Sequence, residues 1–172
     1  MQRLPSNIED ALVAWVEAIH PDATIVWAKE NAPRPALPFI ALDVIAGPQT
    51  IGPAEERYKQ QDTYTYGIRK RGTLNVQVYA DDALVRAAAI ESALELPSRQ
   101  AVLRAAGIAV WGSAGVRDLT ELLDTAFDPR AGLDLFISWP EPADDAPGEI
   151  HSVHVTGTAG SAGIDQTMDI EA

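Results

Sequence analysis

The stretch from Thr63 to Ala80, TYTYGIRKRGTLNVQVYA, constrains this chain more than any other. Tyr64, Tyr66 and Ile68 alternate with Thr63, Thr65 and Gly67, and Leu74, Val76 and Val78 alternate with Thr73, Asn75 and Gln77. A period of two is the mark of strands with one buried face. Arg69, Lys70, Arg71 and Gly72 separate the two runs, and the spacing predicts a hairpin with these four at its tip. Gly72 would supply a positive φ there, and three like charges would project into solvent or toward an acidic partner.

Around this hairpin the chain reads as α+β: a mixed or antiparallel sheet with a central hairpin, covered by two to three helices. Ser6 with Glu9 forms a capping-box pattern, and Ile8, Leu12, Trp15 and Ile19 share a helical face to about Ile19. Thr24 to Ala28 is a short β-prone run. Pro33, Pro35 and Pro38 stiffen the connector to Phe39–Ala46, the most apolar strand candidate, expected centrally in the sheet. Gly47 to Gln60 reads as a long loop with two Gly-Pro-type breaks. Asp81 or Asp82 is expected to cap a helix from Ala83 to about Leu96, with Ala83, Ala87, Ile90 and Leu94 on one face. Ser98 is expected to cap a third helix that Gly107 closes in the left-handed conformation. Strands are expected at Ile108–Trp111, at Gly132–Trp139 and at about Glu149–Thr156, with Pro140–Gly148 as an acidic turn region; in Val116–Phe127, Leu119, Leu122 and Leu123 fit a helical turn or a bulged strand, and strand is the expectation. Residues 1–156 thus read as one domain, and 157–172 as an acidic flexible tail or an arm that orders on a neighbour.

Composition narrows the functions. With no cysteine, disulfides, thiolate metal sites and cysteine nucleophiles are excluded. No run approaches the ~18 apolar residues of a membrane span, and the first residues do not resemble a signal peptide, so a cytoplasmic setting without a membrane partner is expected. The net charge of −12 is uneven: residues 1–80 carry 8 basic and 9 acidic side chains, residues 81–172 carry 5 and 16. Such a surface disfavours general nucleic-acid binding, although an acidic wall lets DNA pass without sticking.

Catalytic and metal motifs are missing. There is no G-x-S-x-G, P-loop or G-x-G-x-x-G. His151 and His154 form H-x-x-H, but a spacing of three puts them on opposite faces of a strand. His20 reads as a helix C-terminal residue, and the pairs Asp81–Asp82 and Asp144–Asp145 as a cap and a solvated loop. Tyr64, Tyr66, Trp15, Trp27, Trp111 and Trp139 fit core positions better than stacking platforms. No cofactor, metal or enzymatic activity is expected. A basic tip on an acidic chain, and more irregular chain than one domain needs, instead suggest self-assembly.

Three segments carry a resemblance: WAKENAPRPALPFIALDV (Trp27–Val44), YGIRKRGTLNVQVY (Tyr66–Tyr79) and DPRAGLDL (Asp128–Leu135). In this order they resemble the neck or tail-terminator proteins of tailed bacteriophages and prophages, over roughly Ser6 to Thr156. The resemblance implies a structural virion protein of the tail neck, assembled in the bacterial cytoplasm. It would form a sixfold homo-oligomeric ring that caps the tail tube, ends tube polymerisation and joins the tail to the head connector. The tube protein, the connector or stopper protein and the tail sheath are the implied partners, with DNA passing through the lumen unbound. Arg69, Lys70, Arg71 and Arg130 are expected at the subunit interface, and Gly47, Ile51, Glu55, Glu56 and Arg57 at the tube or connector. The alternatives are a head-tail stopper or other neck or baseplate component, or a small acidic ligand-binding domain or enzyme with a site built from Asp43, Arg130 and Asp134.

Overall fold

The computed structural model describes residues 4–29, 33–60, 63–123, 126–146, 152–159 and 162–169. In chain order the elements are α1 (Ser6–Ile19), β1 (Thr24–Trp27), β2 (Phe39–Thr50), β3 (Glu55–Gln60), β4 (Thr63–Tyr79), α2 (Ala83–Ala93), α3 (Pro97–Ala105), β5 (Ala109–Asp118), β6 (Glu121–Leu123), β7 (Ala126–Asp128), β8 (Arg130–Asp145), β9 (Ser152–Ala159) and β10 (Ala162–Asp169). Contacts divide the chain into two compact units, Met1–Ala54 with Ile68–Glu141, and Glu55–Gly67 with Pro142–Ala172.

The first unit holds the main core. Its strands follow the order β1-β2-β4-β8-β5, with β1 and β2 parallel and the β2–β4 and β5–β8 pairs antiparallel, so the sheet is mixed and the class is α+β. Leu74, Val76 and Val78 of β4 and Leu133, Leu135, Ile137 and Trp139 of β8 are fully buried in one cluster with Ile8, Leu12, Trp15 and Val16 of α1 and Ala83, Ala87 and Ile90 of α2. Each such aliphatic side chain contributes about 1.5–3 kcal/mol on burial. The alanines of α2 keep that helix close to the sheet.

The helix ends follow the sequence in part. At α3, Pro97 takes the first turn, where its missing N–H costs nothing, and Gly107 lies at φ 75°. The Gly107 N–H donates to the Arg104 carbonyl and the Ile108 N–H to that of Leu103, which satisfies two terminal carbonyls. At α1 the cap position is Pro5, not Ser6, no side chain caps the helix, and Glu9 accepts instead from the N–H of Leu4, one residue before the cap, at 3.1 Å. Asp82 precedes α2 but makes no cap bond; its carboxylate takes the Arg86 guanidinium instead.

The hairpin at Thr63–Ala80 is corrected. β4 is one continuous strand, and Arg69–Gly72 lie in its middle, where Thr50 pairs with Lys70 and Gln49 with Arg71. The apolar positions keep one parity from Tyr64 to Val78, so no change of direction is needed to bury them. Along a strand the three cations alternate between faces, which relieves their repulsion. Gly72 is buried rather than at a positive φ; a Cβ there would stand 3.2 Å from the Ala46 carbonyl and 3.3 Å from the Trp139 ring. The loop reading of Gly47–Gln60 is corrected as well. β2 runs to Thr50, a short turn follows through Gly52 at φ 69°, and β3 begins at Glu55.

Pro140–Gly148 is likewise strand rather than turn as far as Asp145. The pairing of β5 with β8 reaches only Ser138, so this part of β8 has no β5 partner on that edge and tolerates prolines without N–H groups. Within Val116–Phe127 the expected strand is present, as the end of β5 followed by the short pair β6–β7.

In the second unit, β3 pairs antiparallel with the start of β4, Glu55 opposite Gly67 and Glu56 opposite Tyr66. Thr65 donates to Asp144 at 2.6 Å. β9 and β10 form an antiparallel pair from Ser152–Asp169 to Ala159–Ala162, so strand structure extends into the segment read as a tail. His151 lies outside the described residues.

Candidate functional site

The helices cover one face of the first unit's sheet; the other face carries polar side chains in a directed chain of hydrogen bonds. Tyr79 Oη donates to Gln77 Oε1 at 2.9 Å, Gln77 Nε2 to Asn75 Oδ1 at 2.8 Å, and Asn75 Nδ2 to Asp134 Oδ1 at 2.6 Å. Arg117 pairs with the other oxygen of Asp134. Asp43, opposite Asn75 on β2, pairs with Lys29 Nζ at 2.6 Å. Asn75, Asp43 and Asp134 are all buried, and satisfied networks of this kind rigidify a surface.

Asp43, Arg130 and Asp134 do not converge on one pocket. The two acids share a row across the sheet, each with its own cation, while Arg130 lies by the Tyr79 end of β4 with its guanidinium 5.5 Å from the Tyr79 ring centroid. Beside it, Arg34 lies over the stacked rings of Phe39 and Tyr79 and pairs with Asp128 at 2.7 Å. A cleft of about 370 Å³ opens here, lined by Trp27, Lys29, Arg34, Tyr79, Glu121, Asp128 and Arg130 among others.

The expected interface residues separate into three groups. Because β2 pairs with β4, Gly47 and Ile51 come to lie beside Arg69, Lys70 and Arg71, and the Ile51 N–H donates to the Arg69 carbonyl at 2.9 Å. Arg69 is exposed. Lys70 turns the other way, to Thr50 Oγ1 at 2.9 Å and Glu141 at 3.9 Å. Arg71 donates twice to Gln49 Oε1, at 2.9 and 2.8 Å. Arg130 is remote from these, by the other end of β4. Glu55, Glu56 and Arg57 lie on β3 of the second unit, with a bulge between Glu56 and Tyr58.

The sequence reading missed the exposed apolar groups. Trp111, 59% exposed, stacks on Phe136 with ring centroids 5.1 Å apart, in a groove of about 270 Å³ shared with Ala46, Gly47, Arg71 and Gly72. The β6–β7 ribbon is polarity-inverted. Glu121 and Asp128 stand opposite each other and line the cleft, whereas Leu122 and Phe127, the next opposed pair, are 60% and 71% exposed. The ribbon's base is latched: the Leu119 N–H donates to the Arg130 carbonyl at 2.8 Å, and the Thr120 N–H to Asp118 at 2.9 Å. The Thr120 hydroxyl and then its N–H hold the Asp118 carboxyl below the usual carboxylate range. The apolar pairs Leu122–Leu123 and Ala126–Phe127 were the available signal for the two strands.

The fold is α+β, with Trp111, Leu122 and Phe127 of its first unit held in solvent, and among the described residues no helix is long and apolar enough to cross a membrane. A family model described as phage neck terminator protein matches residues 6–161, and the chain belongs to that family. Its role is therefore structural, in the neck and tail of a phage. No curated protein matches the chain.

Proposed function

We propose that this protein is a tail terminator: a hexameric ring that caps the tail tube, ends tube polymerisation and offers its other side to the head connector. The observation that carries this reading is the family match over residues 6–161, and the large apolar side chains held in solvent on ordered strands support it. Isolated exposed leucines need no explanation, but an exposed Trp on a Phe and an exposed Leu–Phe pair are the anchors of protein interfaces. Arg69, Arg71 and Arg130 are the cations available to a subunit contact, with Lys70 turned to Glu141. Ile51 in the β2–β3 turn and Glu55, Glu56 and Arg57 on β3 are assigned to the tube or connector. The net charge of −12 suits a lumen through which DNA slides without binding.

Negative-stain electron microscopy of the protein with tail tubes, alongside its mass in solution, tests the reading. Rings on one end of the tubes, and tubes of fixed length when it is present during polymerisation, are the expected result. Tubes that stay bare and keep growing at every protein concentration would overturn it. Binding to the connector alone would make it a stopper.

A further inference from the structure

We infer that the β6–β7 ribbon of one copy docks, through Phe127 and Leu122, into the Trp111–Phe136–Arg71 groove of a second copy of this chain. The inference rests on the ring reading and names its contact. Three observations lead to it.

The ribbon is built against its own solubility. A two-stranded ribbon with one acidic and one apolar face would normally turn the apolar face inward. Here Glu121 and Asp128 take the inner face, with Asp128 held by Arg34, and the latches at Leu119 and Thr120 fix Leu122 and Phe127 outward. The Leu119 side chain secures the base further: a Cβ on Gly132 would fall 2.5 Å from its Cδ1. The apolar pair is thus presented already ordered, which lowers the entropy lost on docking.

The groove is the complement in shape and charge. It is open, floored by aromatic rings and by Gly72, and large enough for a phenyl ring. On its rim the Arg71 guanidinium bonds, among the described residues, only the neutral amide of Gln49, so its charge is unpaired. At the ribbon's base the exposed Asp118 carboxylate is the acidic partner for such a cation, while Glu121 stays on the inner face. In a chain of net charge −12, a contact that sets a basic group against acid offsets the repulsion between two copies.

Ribbon and groove are also different patches of the first unit. The ribbon adjoins the Tyr79 end of β4, and the groove the middle of that strand at Arg71–Thr73. A contact between different patches of identical chains is head-to-tail, and it propagates into a ring when its rotation closes.

The chain has no cysteine, so introduced thiols report without background. Gly47 lines the groove, and a Cβ there meets nothing within 4 Å; Leu122→Cys leaves Phe127 in place. The double variant Leu122→Cys/Gly47→Cys, assembled with tail tubes and treated with a short bismaleimide, is expected to give a ladder of covalent oligomers up to the ring. Each single variant should give dimers at most, and adding Phe127→Ser to the double variant should abolish the ladder. Rings without a ladder would overturn the contact and leave the ring reading standing. A ladder without capped tubes would support the contact and remove the terminator role. Crosslinks to the tube protein instead of to a second copy would also overturn the inference, with the ribbon reassigned to the tube.

Discussion

Replacing Gly72 separates a strand from a hairpin tip. At an exposed tip with positive φ, Asn is nearly as good as Gly, because its short amide tolerates the left-handed region. In the structure the position is buried in mid-strand under Trp139, and an added methyl would sit 3.2 Å from the Ala46 carbonyl and 3.3 Å from the indole ring. Gly72→Ala forces a shift of a few tenths of an ångström in a ring with no room to move. Overpacking of this kind costs about 1–3 kcal/mol, less about 0.4–1 kcal/mol for the restricted unfolded chain, so a net loss of about 1 kcal/mol is expected. Gly72→Asn adds a whole polar amide to the same buried space, and a loss of about 4 kcal/mol is expected. For a chain of this length that is a fall of roughly 8–16 °C in Tm. Urea unfolding followed by tryptophan fluorescence gives the difference from the midpoint at constant slope. An Asn variant within about 0.5 kcal/mol of the native protein would refute the continuous strand and restore the tip.

Asp134→Ala leaves the buried Asn75 amide without its acceptor, while the half-exposed Arg117 turns to water, and is expected to cost about 1–3 kcal/mol by the same unfolding assay. Phe127→Ser, at an exposed position, should change the stability of the isolated chain by less than about 0.5 kcal/mol while abolishing ring assembly on tubes. The hydrogen bond from Arg86 holds the Asp22 carboxyl below its ordinary value of 3.8. Its stabilising contribution is therefore complete above that value and is lost as pH falls through the lower folded one. Native protein should lose more stability than Asp22→Asn across that acid range, and the difference should shrink in high salt.

Much of the fold was legible because burial imposes simple periods. The helical spacing of Ile8, Leu12 and Trp15 and the alternation of Leu133, Leu135 and Ile137 each admit one buried face, and those faces form the core. Gly107 was legible because only a residue without a Cβ closes α3 in that conformation cheaply. Arg69–Gly72 misled because glycine and consecutive cations are also turn composition. The unbroken parity from Tyr64 to Val78 was the stronger signal. Gly47–Thr50 was illegible for a different reason: Gly-Pro punctuation is local, whereas the partners that make it a strand, Arg71 and Lys70 on β4, lie about 20 residues away in sequence.

By itself the sequence determined the α+β class, the core faces of α1, α2, β4 and β8, and the absence of thiol chemistry, because these depend on composition and on periods read within one segment. Only the tertiary structure decided which surfaces remain unpartnered. Whether Trp111, Leu122 and Phe127 are core or solvent depends on which strands cover them, and Gly72 is a requirement only because Trp139, distant in sequence, packs onto it.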